Sequence, residues 1–105
     1  MKRIDSLRAQ LGGPRDGALL RYSLGTALLD AGDTTEAIAH LRAALDFNDG
    51  YSAAWKQLGH ACRRAGDMQG AAEAWRRGIA AAEARGDVQA AREMQVFLKR
   101  LESSR

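Results

Sequence analysis

Two stretches of this chain follow one pattern offset by 34 residues (58 − 24), and that period constrains the fold more than any other feature. Leu24-Gly25 falls on Leu58-Gly59, Gly32-Asp33 on Gly66-Asp67, Ala37 on Ala71 and Leu41 on Trp75. The shared order is apolar, small, turn, small, bulky apolar. A unit recurring at such a period hides its apolar face only against its neighbours, so a stacked array is expected.

Each unit reads as a helical hairpin. In the first, Leu20, Leu24, Ala27, Leu28 and Ala31 recur at helical spacing, and Gly32 supplies the left-handed residue that ends a helix. Asp33 is a natural N-cap, and Glu36 three residues later completes a capping-box pattern leading into Ala37, Ile38 and Leu41. In the second, Trp55, Leu58, Gly59 and Cys62 form one stripe, and Ala71, Trp75, Ile79 and Ala82 form the stripe that answers it across Gly66-Asp67. The small residues Gly25, Gly59, Ala37 and Ala71 fit backbones that cross closely. Composition agrees: alanine is abundant, β-branched residues are scarce, and the single proline, Pro14, precedes both units. The class is all-α, in one domain of 105 residues.

The run Trp55-x2-Leu58-Gly59-x2-Cys62, followed by Ala71-x3-Trp75, resembles the tetratricopeptide repeat pattern W-x2-L-G-x2-Y…A-x3-F. Ala44 to Tyr51 is similar to the linker between such repeats, with Asp49 where proline is usual. The first unit is a weaker copy, because Arg21 stands at the tryptophan position; Gly78 sits where alanine is common. The resemblance implies a right-handed stack of antiparallel hairpins, with repeats over 18–51 and 52–85.

The ends depart from the pattern. A third turn, Gly86-Asp87, follows Gly66 by only 20 residues (86 − 66), so no third full repeat is expected. A last helix over 88–101 places Ala90, Ala91, Met94, Phe97, Leu98 and Leu101 on one face and Gln89, Arg92, Glu93, Lys99 and Arg100 on the other. It reads as a cap on the apolar end of the stack. Ile4, Leu7 and Leu11 predict a short N-terminal helix over 4–11, before Gly12-Gly13-Pro14.

No group of residues converges for catalysis, so no enzyme is expected, and neither a metal nor a cofactor. His60 and Cys62 are two apart on a helix and face different ways. Cys62 lies on the packing stripe, and a single cysteine excludes an internal disulfide. His40, one turn after Glu36, reads as half of a solvated surface pair. Arg85-Gly86-Asp87 spells an adhesion tripeptide but sits where a Gly-Asp turn ends one helix and caps the next. No segment is apolar and long enough to span a bilayer, and a cytoplasmic setting is expected.

The helix over 52–65 carries Lys56, His60, Arg63 and Arg64 and no acidic residue. Lys56, His60 and Arg63 share a face, and the 34-residue shift puts Tyr22, Thr26 and Leu29 at the same places in the first unit. In the family, this face of each first helix lines a concave groove for a partner segment. Carried over, the groove comprises Leu19, Tyr22, Thr26, Leu29 and Asp30 beside Ala53, Lys56, His60, Arg63 and Arg64. The lysine–asparagine carboxylate grip of some members is absent, since Tyr22, Thr26 and Gln57 occupy its places.

The expected function is an adaptor holding a peptide or helix of another protein, with Tyr22 and Leu29 giving apolar contact and the cations attracting an acidic segment. Two alternatives stay open. One is nucleic-acid binding through the basic helix, less expected at a net charge of only +3. The other is homo-oligomerisation, with Met94, Phe97 and Leu98 docking a second copy. The expected state is a monomer or weak homodimer.

Overall fold

A computed structural model describes residues 2–104. It contains six helices: α1 (Lys2–Arg8), α2 (Ala18–Asp30), α3 (Thr34–Phe47), α4 (Ser52–Arg64), α5 (Met68–Ala84) and α6 (Val88–Ser103). No strand occurs among the described residues. Each helix packs on the next, and in addition α2 touches α4 and α4 touches α6. The chain is therefore a stack of helical hairpins, with α2, α4 and α6 side by side in one layer and α3 and α5 in the other. Unlike their partners, α3 and α5 do not touch, so the stack is open on their side and closes on the α2–α4–α6 side.

Sequence dictates the turns directly. Gly32, Gly66 and Gly86 have φ of 88°, 83° and 74°, a region that costs other residues energy. Each sits in the same terminator: Asp33 N–H donates to Leu28 at 2.9 Å, Asp67 N–H to Cys62 at 2.9 Å and Asp87 N–H to Ala82 at 2.8 Å. Those bonds satisfy carbonyls that the helix end would otherwise leave unpaired. The next helix starts at once, and the carboxylates of Asp67 and Asp87 accept from the backbone N–H groups of Gly70 and Ala90.

Asp33 differs from the expected cap. Its side chain makes no capping hydrogen bond, and Glu36 does not fold back to complete a box. Glu36 instead grips Arg8 of α1 at 2.7 Å and lies 3.7 Å from His40, so it ties α1 to α3. His40 is correspondingly not a solvated surface residue. Its side chain is 13% exposed, held between Glu36 and Arg21, whose Nη1 is 3.4 Å from Nδ1. Burial first, and then Arg21, push its pKa below the usual histidine value.

Leu24, Leu28, Leu41, Trp75 and Met94 are the largest fully buried side chains after the stack has closed. The small residues make room for them. A Cβ on Gly59 would collide with the indole of Trp75, one on Gly25 with Leu41, and one on Gly78 with Met94 and with Trp55 Cβ. Gly78 thus replaces the alanine common in the family because α6 lies against α5 here. Arg21, at the tryptophan position, is held by Asp16 at 2.8 and 2.9 Å, and Asp16 also accepts from Gly12 N–H. In the second unit Trp55 Nε1 donates to Asp49 at 2.7 Å. Different side chains at this position fasten the helix to the loop before it.

The N-terminal helix is earlier and shorter than expected. It ends at Arg8, and residues 9–16 are turns in which Leu11 still packs on the core.

Candidate functional site

The inner layer is where the expected groove residues lie, and α6 changes its composition. Lys56 of α4 is 3.7 Å from Glu93 of α6, and the His60 ring lies 4.6 Å from the Phe97 ring. Both pairs are separated by 37 residues (93 − 56 and 97 − 60), and Arg63 and Arg100 share that separation. Helix α5 has 17 residues against 14 in α3, three more, and this extra length carries α6 into place beside α4. The last helix is therefore a cap and also the third member of the inner layer.

The ten expected residues do not form one surface. On α2, Leu19 is 69% exposed, and Tyr22 packs its ring against Tyr51 at 5.0 Å. Thr26 spends its hydroxyl on the carbonyls of Tyr22 and Ser23, at 2.6 and 3.1 Å. With Asp30 it borders a 420 Å³ cleft between α1 and α2. Leu29, expected to offer apolar contact, is 3% exposed and belongs to the core. Arg64 crosses from α4 to donate to the Leu29 backbone carbonyl at 3.2 Å.

On α4, Ala53 and Lys56 border a 310 Å³ cleft shared with the cap residue Asp87 and with Gln89 and Glu93 of α6. Lys56 therefore has a carboxylate partner already. His60 and Arg63 border a second cleft of 380 Å³ farther along the same seam, completed by Trp75, Phe97, Arg100, Leu101 and Ser104. His60 packs edge-on against Trp75 at 5.3 Å as well as Phe97. Burial lowers its pKa, and the nearby Arg63, Lys56 and Arg64 lower it further. Its ring is thus neutral near pH 7. Arg63 and Arg100 have no ion-pair partner among the described residues.

Phe97 and Arg100 are the residues that sequence reasoning missed. Phe97 was read as packing and Arg100 as part of the outer polar face, although the two lie one helical turn apart. Their place beside His60 and Arg63 follows from α6 lying along α4, which shows only once α5 is known to be longer. Met94 is fully buried, and Phe97 and Leu98 pack on the chain's own core.

Little else in the chain offers chemistry. Cys62 is buried, and burial pushes its thiol pKa up, away from the reactive thiolate. Among the described residues no group of three or more His, Cys, Asp or Glu is placed to hold a metal ion. The Asp87 carboxylate of the adhesion-like tripeptide is engaged as the cap of α6.

The tetratricopeptide repeat model matches residues 7–52 and 22–82. This chain belongs to the tetratricopeptide repeat family. A TPR repeat-containing protein of Pseudomonas aeruginosa is 46% identical over 102 residues, covering 97% of each chain. A solution structure of a Bordetella parapertussis protein, 45% identical, superposes with a TM-score of 0.81 over 98% of this chain and 87% of that one. A crystal structure of MamA, at 23% identity and a TM-score of 0.71 over 96% of this chain and 67% of that one, shares the fold. Tetratricopeptide repeats generally mediate protein–protein interaction and are typically non-enzymatic. No described helix is long and apolar enough to cross a membrane.

Proposed function

We propose that this chain is an adaptor that holds a segment of another protein along its α2–α4–α6 face. The observation that carries the reading is the arrangement of that face in a tetratricopeptide repeat chain. Leu19 is mostly exposed beside the Tyr22–Tyr51 pair, and uncompensated cations stand at the far end of α4. An apolar and aromatic strip with charge at one end gives a bound segment both contact area and direction. Of the ten expected residues, Leu19, Tyr22, Ala53, His60 and Arg63 remain suited to direct contact. Lys56 is engaged by Glu93, Arg64 by the Leu29 carbonyl, and Leu29 is buried.

A photo-crosslinking amino acid placed at Leu19, and separately at Met68 on the other layer, tests this in native lysate. Both side chains are exposed, so either probe leaves the fold intact. The expected result is a protein adduct from position 19 that is absent from position 68 and survives nuclease. Equal adducts from both positions move the site off this face, and adducts that vanish with nuclease favour nucleic acid.

A further inference from the structure

We infer that the cleft between the C-terminal halves of α4 and α6 receives an acidic side chain of the bound partner segment. The inference rests on the adaptor reading and adds the partner's chemistry at one place. Its floor is the edge of Trp75 with Phe97 and Leu101, and its rim is His60, Arg63 and Arg100. Among the described residues no carboxylate lines it, although acidic residues are present close by. Glu93 is held by Lys56, and Glu102 by Arg76 at 3.3 Å.

Two guanidinium groups without partners converge on a concave, partly apolar site. Charge-assisted hydrogen bonds from arginine to a carboxylate are strong for their kind. Neither nitrogen of His60 has a hydrogen-bond partner among the described residues, so the ring has bonding capacity to offer at the same cleft. The site differs from the carboxylate grip known in the family, whose places are occupied here by Tyr22, Thr26 and Gln57.

The chemistry favours a protein acid over a polyphosphate chain. The positive charge is confined to one end of the seam, because the Lys56–Glu93 pair and Asp87 interrupt it at the other. Nucleic acid needs cations continued along its backbone. An incoming carboxylate also alters His60. Lys56, Arg63 and Arg64 on α4 and Arg100 on α6 surround it with positive charge, while α5 contributes only Trp75, and the free ring is neutral. A bound anion offsets that charge and the ring takes up a proton, so binding tightens as pH falls toward about 6.

The test uses a random peptide library selected on the full chain. Peptides enriched in Asp or Glu are expected. They should bind roughly tenfold more weakly to Arg63→Gln/Arg100→Gln, and changing the peptide's acid to its amide should cost the same. Both arginines are exposed, so the variant folds, which circular dichroism checks. His60→Gln should keep binding near pH 7.5 but remove the tightening near about pH 6. Peptides selected without acidic preference, or bound equally by the double variant, overturn this cleft and leave the adaptor reading standing. Failure to select any peptide overturns both. Displacement of selected peptides by a single-stranded oligonucleotide, with steep salt dependence, replaces the acidic partner with nucleic acid.

Discussion

His40 and His60 are each beside arginine and each pushed toward the neutral form by burial. In the unfolded chain both titrate near 6.5, the ordinary value, whereas in the folded chain they hold protons less readily. As pH falls below that value the unfolded state binds more protons, so stability is greatest above it and declines on acidification. Urea midpoints should therefore fall between about pH 7.5 and about pH 5.5, and His40→Gln/His60→Gln should flatten the profile. A wild-type midpoint constant over that range contradicts this. Asp16 and Glu36 act in a different window: arginine partners hold both carboxyls below their usual values, so their contribution is lost only at more acid pH. The sequence made the core stripe and the inert Cys62 legible, since periodicity reports which side chains face inward. It did not reveal that His40 is partly buried, because part of the cover comes from Arg21, brought there only by packing α2 on α3.

Helix beginnings separate what a local pattern specifies from what tertiary contact overrides. Asp33, Asp67 and Asp87 follow the same glycine turn, yet only the last two cap their helices with side-chain oxygens. Removing a working cap costs about 1 kcal/mol, so Asp67→Ala and Asp87→Ala should each destabilise by roughly that amount in urea denaturation. Asp33→Ala should cost less than about 0.5 kcal/mol, the range of an ordinary surface change. Equal losses at all three positions mean that Asp33 caps in solution. The turns, the hairpins and the end helix could all be read from spacing. The role of α6 as a third inner helix could not, because three additional residues in α5 and one fewer in the loop after it start α6 36 residues after α4 (88 − 52) in place of 34 (52 − 18). For the same reason the neighbours contributed by α6 were not legible: Lys56, His60 and Arg63 were expected in a groove beside the α2 residues, and they line clefts shared with α6.

A short array leaves little room for independent units. Leu24, Leu28, Leu41 and Ala44 of the first hairpin share one apolar cluster with Ile4 of α1 and the second hairpin, and Trp75 and Met94 close the other end. In a stack with nearest-neighbour coupling, hairpins that are unstable alone are held by their interfaces and unfold together. The two tryptophans allow this to be checked, because Trp55 and Trp75 both lie in the second hairpin while far-UV circular dichroism reports every helix. Leu45, 6% exposed on α3, borders the gap to α4 beside Trp55 and Leu58. Leu45→Ala should cost about 2–4 kcal/mol. If the molecule is one cooperative unit, the loss appears equally in dichroism and in tryptophan fluorescence, although the substitution lies in the hairpin without tryptophan. If the dichroism curve moves and the fluorescence curve stays, the hairpins unfold separately. The partner-binding face would then rest on two independent halves, and a ligand spanning α2 and α4 would have to supply the coupling between them.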